Sequence, residues 1–410
     1  SLEYYRSNGT EFKKPKEPVT SHDMQMTTQT QETKISPSAE QRLFIDKAKE
    51  GKNILVDACI GSGKTTAIQH LCNELPPDKK ILYLTYNKLL KLDAKDKIQN
   101  RNATVTNYHG FAYGVLHNLK NPMPGVSDLI QEFLRIKPAL MHYDVLIIDE
   151  YQDIEEEHSK MLEYVKSFNP KMQIIAVGDM EQKIYDKTTL YVPEFIEQFL
   201  GEHIKLEFTR CFRLSAELAA KLGRIWNKNI VGVNENCVVE EMTADAAAKF
   251  LAKQNPGDIL CLGARNYGAS KMLNQLEQEY PDRFNKSTVY ASISDKDGMG
   301  ATQPGRDSAI FTTFDSSKGL ERKICMVFDF TESYWSIRAD KPRQSYEILR
   351  NIFCVAESRG KERIIFVSGD EAVLSEETLS KNTDGGIIFE NVDISEMFDF
   401  KYKEDIEKCY

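Results

Sequence analysis

The chain reads as an α/β protein built on two parallel sheets, each flanked by helices. Three observations predict this. Short β-rich runs at Asn53–Ala58, Lys80–Thr85, Asp144–Ile148 and Gln173–Val177 each precede a segment with helical spacing. A second series follows Arg213, with runs at Asp258–Leu262, Thr288–Ala291, Ala309–Thr313, Ile324–Phe328 and Arg363–Val367, interleaved with helical patterns such as Ser215–Trp226 and Ser345–Glu357. Strands alternating with helices indicate parallel sheets covered on both faces. Finally, 410 residues exceed the size of one hydrophobic core, so the two series fall into two units.

The expected organisation is an arm over residues 1–37, a first α/β domain over 38–205 and a second over 206–410. The arm has few apolar groups and a polar run from Met26 to Gln31, too little apolar surface to offset its ordering entropy. Ser294–Arg306, rich in Asp, Gly and Ser, reads as a loop. Phe400–Tyr410 reads as amphipathic and uncapped, as expected of a fragment of a longer chain.

Composition narrows the function classes. With 41% hydrophobic and 28% charged residues the chain can pack a core, which excludes wholesale disorder. The net charge of −9 repels phosphate overall, so any nucleic-acid contact needs a local basic groove. Eight cysteines scattered singly, without a C-x-x-C pair, argue against a disulfide framework or zinc site. No apolar stretch approaches a membrane span, and the expectation is a soluble intracellular protein of the cytoplasm, nucleoid or nucleus without a membrane partner.

Two motifs carry chemistry. Between the first strand and the next helix lies Ala58-Cys59-Ile60-Gly61-Ser62-Gly63-Lys64-Thr65-Thr66. Gly61, Ser62, Gly63 and Thr66 would form a tight turn whose backbone N–H groups face phosphate oxygens. Lys64 would reach the β- and γ-phosphates of ATP, and Thr65 would ligate Mg²⁺. Ala58 stands where this motif usually opens with glycine. The apolar run Val145–Ile148 then delivers Asp149 and Glu150 at a strand end; Asp149 suits Mg²⁺, and Glu150 suits activation of the attacking water.

Asp149-Glu150-Tyr151-Gln152-Asp153 resembles the D-E-x-Q-D signature of superfamily 1 helicases of the UvrD/Rep/PcrA group, and further elements occur in that family's order. Ser38–Arg42 resembles the adenine-reading element, implying that role for Gln41. Thr85-Tyr86-Asn87-Lys88 and Asn107-Tyr108-His109-Gly110 resemble the elements that touch the nucleic-acid backbone through residues such as Thr85, Asn87 and His109; read alone, they are equally helix caps. Val177–Tyr185 resembles G-D-x-x-Q-x-I-Y, implying that Gln182 senses the γ-phosphate and Tyr185 stacks on a base. Thr209–Arg213 resembles the element carrying a γ-phosphate arginine, Arg213 by its aromatic neighbour, with Arg210 as rival. Thr312–Glu321 implies strand contact at Thr313 and nucleotide contact at Gly319 and Glu321. Val355–Lys361 resembles V-A-x-T-R-A-K, implying an arginine finger at Arg359.

The resemblance implies two RecA-like P-loop domains with the ATP site in the cleft between them, and an ATP-dependent translocase or helicase on single-stranded DNA, moving 3′ to 5′ and serving DNA repair; RNA is an alternative track. Three departures bear on this. The stretches between Tyr113 and Asp149 and between Arg213 and Thr312 are short where larger relatives carry accessory insertions, Lys187 replaces a tryptophan, and Asp315 replaces a histidine. The competing expectation is an ATPase switch, indifferent to or sensing nucleic acid, that controls a protein partner such as a nuclease or repair factor in a repair or defence complex.

Overall fold

The computed structural model describes residues 36–86, 97–119, 129–184, 189–295, 297, 304–331, 334–335, 351–352 and 354–368. Asn87, Tyr185, Lys187, the arm up to residue 35, most of the Ser345–Glu357 run and residues 400–410 lie outside this set.

The first sheet takes β1 (Ile54–Ala58), β2 (Ile81–Thr85), β3 (Ala103–Asn107), β4 (Val145–Asp149), β5 (Gln173–Gly178) and β6 (Ile204–Phe208), ordered β3-β2-β4-β5-β1-β6 and parallel throughout. The central strands are near-continuous Val/Ile/Leu runs because both faces are covered. Phe44, Ile68 and Tyr83 pack with Ile147 on one face, and Phe111, Phe133 and Leu162 with Ile148 on the other. The chain leaves this sheet only after Phe208, three residues beyond the expected change at 205.

The short strands β7 (Arg210–Cys211) and β8 (Val231–Gly232) pair with each other. The second sheet contains β9 (Val238–Thr243), β10 (Ile259–Gly263), β11 (Val289–Ser292), β12 (Ala309–Thr313), β13 (Arg322–Val327) and β14 (Gly360–Ser368), ordered β11-β12-β10-β13-β14-β9 and again parallel. Leu218, Trp226, Phe314 and Val355 cover one face, and Leu251, Met272, Leu276 and Phe311 the other. Both sheets belong to one compact unit.

Helix starts follow local chemistry. In α1 (Ala39–Lys49), the Ser38 hydroxyl accepts from the Gln41 N–H, and the Gln41 side chain accepts from the Ser38 N–H, a reciprocal cap. Next come α2 (Lys64–Glu74), α3 (Tyr108–Asn118), α4 (Leu129–Ile136), α5 (Glu156–Phe168), α6 (Val192–Leu200), α7 (Ala216–Trp226), α8 (Ala244–Leu251) and α9 (Gly268–Glu279). Asn107, Ser215 and Thr243 cap α3, α7 and α8 by the same side-chain-to-backbone logic.

The start of α9 is held by a more distant group. Asp329, in a left-handed backbone conformation, accepts from the Gly268 N–H at 3.0 Å and the Ala264 N–H at 3.2 Å. Burial pushes its carboxyl up to about 6 despite these bonds. A carboxylate raised in the folded state binds its proton more tightly than in the unfolded chain, so its contribution to stability falls as pH rises from about 4 to 6. Asn tolerates the left-handed conformation and does not titrate. In thermal melts from pH 4 to 8, the Tm of Asp329→Asn relative to wild type therefore rises with pH and levels off near pH 7; a pH-independent difference contradicts this assignment.

Candidate nucleotide site between the sheets

Among the described residues, the phosphate loop after β1 and the acidic pair Asp149 and Glu150 after β4 lie at the C-terminal ends of their strands, where open parallel sheets place ligands. The loop after β1 turns through Gly61 and Gly63, at φ 65° and 75°, a conformation that favours glycine. Its back is fixed by Cys59 and Ile60, both fully buried in a cluster with Cys211, Leu214 and Leu218. Gln41 braces the loop from outside: its amide donates to the Ser62 carbonyl at 3.1 Å and the Gly63 carbonyl at 3.4 Å. The Gln41 side chain thus lies on the loop backbone.

Lys64 opens α2, is 8% exposed, and lies 3.9 Å from the Glu150 carboxylate. Asp149 accepts from the Tyr83 hydroxyl at 2.8 Å through one oxygen, while its other oxygen is buried without a protein partner. Burial and the Glu150 charge push Asp149 up to about 7. For Glu150, burial acts upward too, but the Lys64 and Lys318 cations outweigh it and hold the carboxyl below its usual range. Glu150 sits at φ 55°, which costs a non-glycine residue roughly 1 kcal/mol, and it takes a hydrogen bond from Gln152. Thr65 and Thr66 are half-buried beside the loop.

The second half supplies the facing cations. Arg213 lies against the loop, its Cβ 2.8 Å from where a side chain on Gly61 would begin. One guanidinium nitrogen pairs with Glu321, and Nη1 is buried without a partner. Glu321 also takes Lys361 at 2.6 Å. Arg359 is 2% exposed; its Nε donates to the Val355 carbonyl at 2.9 Å, and burial together with the nearby Arg213 charge pushes it down to about 9. Arg210, the rival to Arg213, is exposed. Lys318 crosses from the loop after β12 to Asp153 at 2.6 Å. Gly319, at φ 76°, follows on that loop.

The donor set fits a magnesium nucleotide. The unpartnered buried atoms include an Asp149 carboxylate oxygen, the Ser62 hydroxyl and Arg213 Nη1, matching a cation and anionic oxygens in one place. Gln182 is 6% exposed, and its amide donates to Asp179 at 2.7 Å. Of the expected nucleic-acid residues, Thr85 is fully buried, Thr313 is 8% exposed with its hydroxyl on Ser316, and His109 is exposed.

Phe212 was missed as a site residue. It is 43% exposed, and its ring lies 3.9 Å from the position a Gly63 side chain would take. The sequence signal is only its place between Cys211 and Arg213; its exposure comes from the fold.

Residues 41–188 match the family described as AAA domain. The structure is similar to Arterivirus nonstructural protein 10 (helicase) in complex with DNA, at 13% identity and TM-score 0.40, covering 82% of this chain and 65% of that one. It is also similar to the Pif1 helicase from Candida albicans, at 14% identity and TM-score 0.40, covering 82% and 96%, respectively. A variant dbp5 from S. cerevisiae, bound to nup159, gle1, ip6 and adp, matches at 13% identity and TM-score 0.48, covering 91% and 96%. The chain spans less than two thirds of the arterivirus protein's length. No curated protein matches it.

The Lys318–Asp153 pair gives a stability test. Both side chains are buried, so removing only the cation leaves an uncompensated carboxylate, at a cost of about 3–5 kcal/mol. Lys318→Met should lower the denaturant midpoint sharply, and Lys318→Met with Asp153→Leu should recover more than half of the loss. Equal losses in the single and double variants contradict a buried ion pair.

Proposed function

We propose that the chain is an ATP hydrolase of the superfamily 1 helicase type that uses Mg²⁺ and translocates on single-stranded DNA. The observation that carries this is the pairing of a phosphate loop and two acidic residues on the first sheet with Arg213 and Arg359 from the second half. In this reading Lys64, Ser62 and the loop N–H groups hold the phosphates, and Thr65 and Asp149 hold Mg²⁺. The ion, when bound, screens the charge on the β- and γ-phosphate oxygens. Glu150 accepts a proton from the attacking water, and its low proton affinity keeps it ionised at neutral pH.

Arg213 releases Glu321 to meet the γ-phosphate, with Arg359 behind it as the second cation. Phe212 offers its exposed ring to the adenine, beside Gln41. Closing and opening of this cleft through the ATP cycle changes the grip on the strand and produces stepwise movement, 3′ to 5′ by resemblance. Nucleic-acid contact is assigned to His109, Asn87, Tyr185, Thr85 and Thr313; the burial of Thr85 and Thr313 requires the cleft to move before they engage.

Steady-state ATP hydrolysis with and without single-stranded DNA or RNA tests the proposal. Wild type should be stimulated at least tenfold by one polymer. Lys64→Ala and Glu150→Gln should each lose about 100-fold or more of turnover, the scale for removing a group that stabilises or forms the transition state. Turnover that ignores both polymers contradicts the motor and favours an ATP switch acting on a protein partner.

A further inference from the structure

Three carboxylates at the carboxyl ends of the interior strands β1 and β5 converge on one lysine from the second half. Asp57 on β1, Asp179 after β5 and Glu181 place their oxygens within 4.8 Å of one another, spacing that could hold a metal ion. The position is filled by Lys228 Nζ, which donates to Asp57 at 2.7 Å, Asp179 at 2.9 Å and Glu181 at 3.1 Å. Its side chain is only 11% exposed.

The delivery of this ammonium is built into the backbone. Helix α7 ends in a turn in which Asn227 is left-handed, the Asn227 N–H donates to the Arg224 carbonyl, and the Lys228 N–H donates to the Gly223 carbonyl at 2.8 Å. This is the Schellman arrangement. A side chain on Gly223 would begin 2.6 Å from the Lys228 carbonyl oxygen, so glycine is what lets the turn close.

The acceptor side leads to the phosphate site. Asp179 uses one oxygen for Lys228 and the other for the Gln182 amide at 2.7 Å, while its N–H donates to Gln152 at 3.0 Å. Gln152 in turn donates to Glu150. A second link runs alongside: Trp226 Nε1 donates to Asn351, whose amide donates to the Lys183 carbonyl at 2.9 Å. Burial would raise Asp179, but Lys228 holds it down to about 2, whereas burial and the Asp179 charge push Glu181 up to about 7.

We propose that Lys228 is a positioning residue for nucleotide recognition, clasping the Asp179–Gln182 segment so that α7 and the γ-phosphate side of the site move together. The inference rests on the nucleotide reading above and adds to it the element through which the second half feels the third phosphate. Without the ammonium, Asp179 is a buried, uncompensated carboxylate, and the segment that carries Gln182 loses its anchor to the end of α7.

Two measurements on the full chain test it, each with Lys228→Met and Lys228→Arg. Hydrogen exchange follows the peptide spanning 179–184, and displacement of a fluorescent ADP compares ADP with a non-hydrolysable ATP analogue. Lys228→Met should speed exchange in that peptide at least tenfold with β4 unchanged. It should also reduce the analogue-to-ADP affinity ratio at least fivefold while ADP affinity stays within twofold. Lys228→Arg should recover most of both effects. Unchanged exchange, exchange raised throughout the first sheet, or equal loss for the two nucleotides overturns the clasp. Wild type that binds neither nucleotide sinks the proposed function, and with it the positioning role, even where the exchange result shows that the clasp itself exists.

Discussion

Charge buried between two sheets is tolerated only where it meets an opposite charge or a ligand, and the seam in this protein is organised by that requirement. Acidic groups at the carboxyl ends of the first sheet face lysines and arginines from the second half. Lys318 meets Asp153, and Lys228 meets Asp57, Asp179 and Glu181. Arg213 meets Glu321. Among the groups these pairs leave over are one Asp149 oxygen, Arg213 Nη1, and an Arg359 guanidinium whose charge is opposed by burial and by another arginine. These groups complement a magnesium-bound polyphosphate better than they complement each other.

The phosphate loop keeps its shape by other means, apolar burial and a neutral amide. Cys59 and Ile60 bury its back in an apolar cluster shared with the segment from Cys211 to Ile230. Gln41 holds its front by two backbone carbonyls. The loop's N–H groups are thereby preorganised, and the segment carrying Phe212 and Arg213 is packed against the loop it serves.

Much of the fold was legible in the sequence because central strands of parallel sheets are buried on both faces and read as unbroken apolar runs, as in Val145–Ile148. The strands not foreseen are edge or minor ones. β3 (Ala-Thr-Val-Thr-Asn) and β9 (Val-Val-Glu-Glu-Met-Thr) each have a solvated side, and β6 alternates apolar and charged residues. In the site, the spacing of Gly61, Gly63, Lys64, Asp149 and Glu150 announced its chemistry locally. Lys228 could not be found this way, because its meaning comes from carboxylates far away in sequence and from a turn that depends on Gly223. Phe212 could not be found this way either, because its 43% exposure is a property of the fold and not of the sequence.

In the proposed function, one nucleotide is held jointly by the two halves. A crystal structure with magnesium and a non-hydrolysable ATP analogue tests it most directly. Phosphate oxygens should lie within hydrogen-bond distance, about 3 Å, of both Lys64 and Arg213, with the Arg213–Glu321 pair opened and the free Asp149 oxygen turned toward the metal. A nucleotide contacting only the first sheet, with Arg213 still on Glu321, would contradict it.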